Sequence, residues 1–225
     1  MKKLSELFRI CDDWHDYQEV GPAVNYKFKE EDDHLYIYFQ GSSQWQDWFL
    51  NFFIKKMPYK DMSIPYKVHG GFLIAWKAVE DIIIEKITEE EDGEYRWKDI
   101  TVVGYSHGGS LCSFCTECVW YHRPDLREEH MRGIAFESPR IFAQWKLPPE
   151  LAERWEKLLV IRTNDDIVTH CPPLLFGYRN LGTMLKIKGD TSLVKEWYIP
   201  HCVKSHYPQV VMDALLKFEA SEGIK

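Results

Sequence analysis

At 225 residues with 45% hydrophobic content, the chain is long enough to bury one sizeable core, and with no linker or composition break it reads as a single domain over residues 1–225. A net charge of -7 without a Lys/Arg-rich stripe excludes nucleic acid as the main partner, because phosphate binding needs clustered cations. Glu6 and Arg9 break up the amino terminus before any signal-peptide core, and no apolar stretch is long enough to span a bilayer, so the expectation is a cytoplasmic protein with no stable membrane anchor.

Residues 24–28 and 35–39 are β-rich and flank the charged turn Glu30-Glu31-Asp32-Asp33, which predicts a hairpin. Over 72–87, Phe72, Ala75, Trp76, Val79, Ile82, Ile83 and Ile87 follow helical spacing, and Asp92-Gly93 is read as ending that helix. A strand over 99–103 then feeds a helix that runs to about Tyr121 and is stopped by Arg123-Pro124. Residues 133–136 and 158–162 read as buried strands on either side of a short helix over 149–157. The last two strands are expected over 183–187 and 194–199, and a closing helix over 208–218 has Pro208 in its first turn. Strands alternating with helices imply an α/β fold with a mostly parallel central sheet and helices on both faces.

Six cysteines stand at 11, 112, 115, 118, 171 and 202. Cys112, Cys115 and Cys118 share one broad face of the helix predicted after residue 106, where a metal ion would lack both a fourth ligand and a loop to wrap it. Buried reduced thiols are the expectation, with no metal, and they suit a reducing compartment.

Gly104-Tyr105-Ser106-His107-Gly108 lies between the predicted strand and helix. That is the context of a nucleophile elbow, in which a strained turn exposes a serine hydroxyl. The glycines have a steric reason, because strand and helix backbones pass too close there for a β-carbon. A serine nucleophile needs a general base, and the base needs a carboxylate to fix its tautomer. In open parallel sheets such groups gather at the carboxyl ends of strands. Thr163-Asn164-Asp165-Asp166 leaves one such end, and either aspartate is a candidate for the acid. Two histidines, His201 and His206, follow the last predicted strand. His206 is preferred because Pro208 anchors it from the helix side, and His201 is the alternative base.

Further segments extend the pattern. Phe39-Gln40-Gly41-Ser42-Ser43 with Asp47-Trp48, Val68-His69-Gly70-Gly71-Phe72, the elbow itself, Ser138-Pro139-Arg140 and Asp166-Ile167-Val168 occur in that order. In this arrangement the chain resembles the class 3 (fungal-type) lipase family of α/β-hydrolases. The resemblance implies Ser106 as nucleophile, Asp166 rather than Asp165 as acid and His206 as base. It also implies an oxyanion hole formed by Ser42 and the backbone amide of His107, and a structural role for His69. The implied activity is hydrolysis of carboxylic esters, acylglycerols or short- to medium-chain esters, through an acyl-enzyme, without cofactor. Gln40 stands where the family usually has arginine, and Thr169 where it usually has proline. The same triad serves acyl transfer or thioester hydrolysis, and a non-catalytic binding protein on the fold is the alternative from another class. Trp45, Trp48 and Phe49 occupy the place of the family's lid. They are read either as an acyl pocket or lid, or as permanently buried core.

Overall fold

The computed structural model describes residues 2–21, 24–41, 55–60 and 65–223 of the chain. Helix α1 (Leu4–Asp12) opens it and turns Leu7, Phe8 and Cys11 inward, a stripe at helical spacing that the sequence analysis passed over. Strand β1 (Gln18–Val20) leads into the expected hairpin of β2 (Val24–Glu31) and β3 (His34–Phe39), which turns at Asp32 with φ 54°. A separate antiparallel pair, β4 (Lys56–Tyr59) and β5 (Tyr66–His69), precedes helix α2 (Gly70–Ile87).

Asp92-Gly93 does not end that helix. It is the turn of a two-residue hairpin, β6 (Glu90–Glu91) with β7 (Glu94–Tyr95), for which the positive φ of both residues is suited. Next come β8 (Asp99–Tyr105), helix α3 (His107–His122), β9 (Met131–Phe136), a helix α4 (Pro149–Arg154) shorter than expected, β10 (Leu158–Thr163) and β11 (Thr183–Ile187). Helices α5 (His201–Lys204) and α6 (Pro208–Ser221) close the chain.

Among the described residues, seven strands form one sheet in the order β1-β2-β3-β8-β9-β10-β11. The hairpin end is antiparallel, and β3 through β11 are parallel. Each face of the sheet has its own core. On one face Phe72, Trp76 and Ile83 of α2 and Leu111, Phe114 and Cys118 of α3 pack on Ile37, Val102 and Val160. On the other, Leu7, Phe8 and Cys11 of α1 and Val211 and Leu215 of α6 pack on Tyr38, Val103 and Ile161. The Glu219 carboxylate of α6 accepts from the backbone N–H and the hydroxyl of Ser5, at 2.8 and 2.6 Å, and so ties the two helices together.

The strand expected over 194–199 does not form. Thr191–Leu193 is a 3-10 turn capped by Asp190, and Trp197 and Tyr198 project into solvent, 89% and 70% exposed. A hairpin partner for β11 would run antiparallel to it and deliver residue 200 to the wrong edge of the sheet. The irregular connection instead leaves the chain at the carboxyl ends of the strands, where His206 is needed.

Candidate active site

Ser106 sits between β8 and α3 with φ 56° and ψ -120°, a conformation costly for any residue with a side chain. Its flanking glycines allow the turn. A β-carbon on Gly104 would lie 2.1 Å from the Gly108 carbonyl oxygen, and one on Gly108 would lie 2.1 Å from that of Phe39. The elbow therefore wedges the start of α3 against both β8 and the end of β3.

The acid follows β10, and the base follows the short helix α5. Beyond β10, Asp166 is fully buried, and Oδ1 accepts the Val168 N–H at 2.8 Å. Thr169, at the departure from the family pattern, donates its hydroxyl to the Asp166 carbonyl at 2.9 Å and fastens the same turn. The Ile167 N–H donates to the Cys202 carbonyl at 3.1 Å and joins this loop to the histidine segment. His206 follows α5, and its backbone carbonyl accepts from the Tyr105 hydroxyl. The preceding carbonyl, of Ser205, accepts from the Thr163 hydroxyl at 3.1 Å. Tyr105 also stacks on the imidazole, with centroids 5.4 Å apart.

These supports bring Ser106 Oγ to 2.7 Å from His206 Nε2, and His206 Nδ1 to 2.7 Å from Asp166 Oδ2. With its proton on Nδ1 the imidazole donates to Asp166 and accepts from the Ser106 hydroxyl, the arrangement that lets it act as a base. Burial pushes the Asp166 carboxyl up, but the His206 imidazole and the hydrogen bonds from His206, Glu137 and Val168 outweigh it and hold the group below its ordinary range.

The two rival residues lie together outside. His201 and Asp165 are each 65% exposed, with His201 Nδ1 4.0 Å from the Asp165 carboxylate. His69 is buried against Phe72 and Tyr178, with ring centroids 4.7 and 5.8 Å away. His107 is the first residue of α3, and the amides of a helix's first turn point out along its axis rather than to an earlier carbonyl of the helix. Ser42, Trp45, Trp48 and Phe49 lie outside the described residues.

Sequence reasoning missed Glu137, which immediately precedes Ser138-Pro139-Arg140. A lone carboxylate at the end of the apolar run 133–136 was the available signal. Glu137 is fully buried at the carboxyl end of β9, and its Oε1 accepts the Thr163 N–H at 2.7 Å. Its ligand-type atoms and those of Asp166 and His206 lie within 4.8 Å of one another. The oxygens and nitrogen that would face an ion are already directed at hydrogen-bond partners, and the two carboxyls lie side by side. That donor set suits proton sharing better than a metal. Cys112, Cys115 and Cys118 are buried thiols, and burial pushes Cys112 up to about 12 and the other two well above the ordinary value. Protonated thiols are poor metal ligands.

Comparison with known proteins places these features in a family. The model of "Lipase (class 3)" matches residues 36–176, more than half of the chain. A lipase of Rhizomucor miehei is 26% identical over 154 residues, which are 66% of this chain and 40% of that protein. A lipase of Rhizopus niveus is 25% identical over 198 residues, 84% of this chain and 49% of the relative. The chain thus spans about half or less of the length of the curated relatives it matches. Among solved structures, a triacylglycerol lipase whose catalytic centre is a serine protease triad superposes with a TM-score of 0.64 at 22% identity, covering 79% of this chain and 68% of that one. The Rhizomucor miehei lipase in complex with its propeptide gives 0.61 at 21% identity, over 89% and 67% of the two chains. At that identity these structures establish the shared α/β-hydrolase fold.

Proposed function

The chain belongs to the class 3 lipase family, and from that premise we propose that it is a serine carboxylic ester hydrolase acting on acylglycerols or on short- to medium-chain esters. The observation that carries the reading is the hydrogen-bonded chain from Ser106 through His206 to Asp166, buried at the carboxyl ends of the parallel strands β8 and β10 on either side of β9.

In this mechanism the Ser106 oxygen attacks the acyl carbonyl while His206 Nε2 takes its proton, and Asp166 stabilises the imidazolium that forms. The charge that develops on the carbonyl oxygen is met by the His107 amide and by Ser42. Such donors are typically worth about a hundred- to a thousandfold each in rate. Collapse of the tetrahedral intermediate expels the alcohol, which leaves with the proton from His206. Water then attacks the acyl-enzyme, His206 again serves as base, and the carboxylic acid departs as Ser106 recovers its proton. The substrate is a small-molecule ester or lipid, and the chemistry calls for no cofactor. The six free thiols support a reducing, cytoplasmic location.

A panel of p-nitrophenyl esters from acetate to palmitate, run beside labelling by a fluorophosphonate, tests the proposal. Turnover and labelling by the parent, both lost in Ser106→Ala, are expected. A folded parent that neither labels nor turns over any ester would establish the non-catalytic binding protein instead.

A further inference from the structure

Glu137 occupies a costly position. It is fully buried, its backbone sits in the left-handed region at φ 48°, and its own N–H donates to the Ile161 carbonyl at 2.8 Å. Left-handed backbone at a residue with a side chain persists only where surrounding structure enforces it. Here the strain aims the carboxyl from the end of β9 across the end of β10. Oε1 accepts the Thr163 N–H at 2.7 Å, Oε2 lies 3.5 Å from the Thr163 hydroxyl, and a carboxyl oxygen lies within 4.8 Å of one of Asp166. The titratable groups facing it are the Asp166 carboxylate, the His206 imidazole in the same cluster, and the Tyr105 phenol on β8.

Two buried carboxyls in contact share one proton, since both cannot be ionised. Asp166 is the better anion, because its two oxygens accept from the Val168 amide and from the His206 ring. Burial and the neighbouring Asp166 charge drive Glu137 well above the usual carboxylate range, so Glu137 keeps the proton. It can then act as a donor.

Resting on the reading of Ser106, His206 and Asp166 as a triad, we propose that Glu137 is a positioning residue, donating its carboxyl proton to Asp166 so that Asp166 stays an anion aimed at His206 Nδ1. The donated bond spreads the Asp166 charge and weakens its hold on a further proton. Without the donor, the His206–Asp166 unit binds its proton more tightly, and the acidic limb of kcat/KM moves to higher pH. Glu137 contacts no reacting atom, so KM is not its readout.

Glu137→Gln and Glu137→Leu separate donation from packing. The glutamine amide can still accept from Thr163 and donate to Asp166, whereas leucine fills the space and donates nothing. The acidic limb should rise by about one pH unit in Glu137→Leu and by less than about 0.3 in Glu137→Gln, with KM changed less than about twofold in both. Should the leucine chain fail to fold, Glu137→Gly removes the carboxyl and also relieves the left-handed backbone, and the same upward shift is expected. The titration of the His206 imidazole, followed by NMR in a Ser106→Ala background, measures the effect without turnover. Turnover by the parent and its loss in Ser106→Ala judge the hydrolase reading, and the NMR titration judges Glu137 independently of it. An imidazole titration unmoved in a folded Glu137→Leu or Glu137→Gly chain overturns the proposal, as does a Glu137→Gln shift as large as that of leucine.

Discussion

Asp166→Asn probes the acid at a site where the structure fixes which way the new amide must face. Oδ1 of Asp166 accepts the Val168 N–H at 2.8 Å, so an asparagine here keeps its carbonyl on that side. Its NH2 group then falls where Oδ2 lay, 2.7 Å from His206 Nδ1. A donor facing Nδ1 forces that nitrogen to accept, which moves the ring proton to Nε2 and points it at Ser106 Oγ, 2.7 Å away. The imidazole becomes a donor at the very atom that has to take the serine proton. The equivalent wrong-tautomer substitution in a serine protease costs about 10⁴ in kcat, roughly 5.5 kcal/mol of barrier. We expect a loss of that order here, with KM little changed and the fold intact. Asp165→Asn is the matched control. Its carboxylate is 65% exposed and 4.0 Å from an equally exposed His201, and it should alter the rate less than about twofold, in line with the small worth of surface ion pairs. The assay is kcat/KM for p-nitrophenyl butyrate at pH 7.5, with circular dichroism to confirm folding. Retention of more than a tenth of the parent rate by Asp166→Asn, or an equal loss in Asp165→Asn, would refute the reasoning.

The two candidate bases divide in the same way. His206→Ala should lower kcat/KM by several orders of magnitude while His201→Ala changes it little, because only the former reaches Ser106; the opposite ranking would move the base. Gly108→Ala places a β-carbon 2.1 Å from the Phe39 carbonyl oxygen, an overpacking against backbone expected to cost about 3 kcal/mol, or roughly 6–12 °C in Tm by thermal melting. An unchanged Tm would contradict the close approach of α3 to β3. Burial depresses His69 to about 4, and burial with the His69 charge does the same for His107, against an ordinary 6.5. Their folded values lie below the unfolded one, so the unfolded chain takes up protons first. The stability they confer is complete above pH 6.5 and is lost as pH falls towards about 4, amounting to about 2 kcal/mol for each at pH 5. Urea midpoints at pH 7.5 and pH 5 measure the loss, and His69→Gln should reduce the difference between them; equal midpoints at the two pH values would remove both histidines from the account.

Where hydrophobic periodicity and local steric demands decide structure, the sequence alone was sufficient. The β-rich run 35–39, the apolar runs 99–103 and 158–162, the helical stripe from Phe72 to Ile87, and the glycines bracketing Ser106 each encode a local outcome that tertiary context had no reason to override. The order of elbow, acid loop and late histidines narrowed the candidate site to two aspartates and two histidines. The family resemblance already pointed to Asp166 and His206; the packed structure supplies the physical difference, because Asp165 and Asp166, like His201 and His206, are near neighbours in sequence and differ in which one the turn buries. The segment 194–199 misled for a related reason. Its apolar side chains suit a strand, but a strand there would carry the chain away from the catalytic edge, and Trp197 and Tyr198 stay in solvent instead. Glu137 was the least legible. Nothing adjacent in sequence marks its carboxyl as the partner of an aspartate 29 positions later; the parallel pairing of β9 with β10 brings the two together. The hydrogen bonds that Asp166 accepts from the Val168 amide and the His206 ring then decide which of the two keeps the proton, a property of the packed interior that no single strand carries.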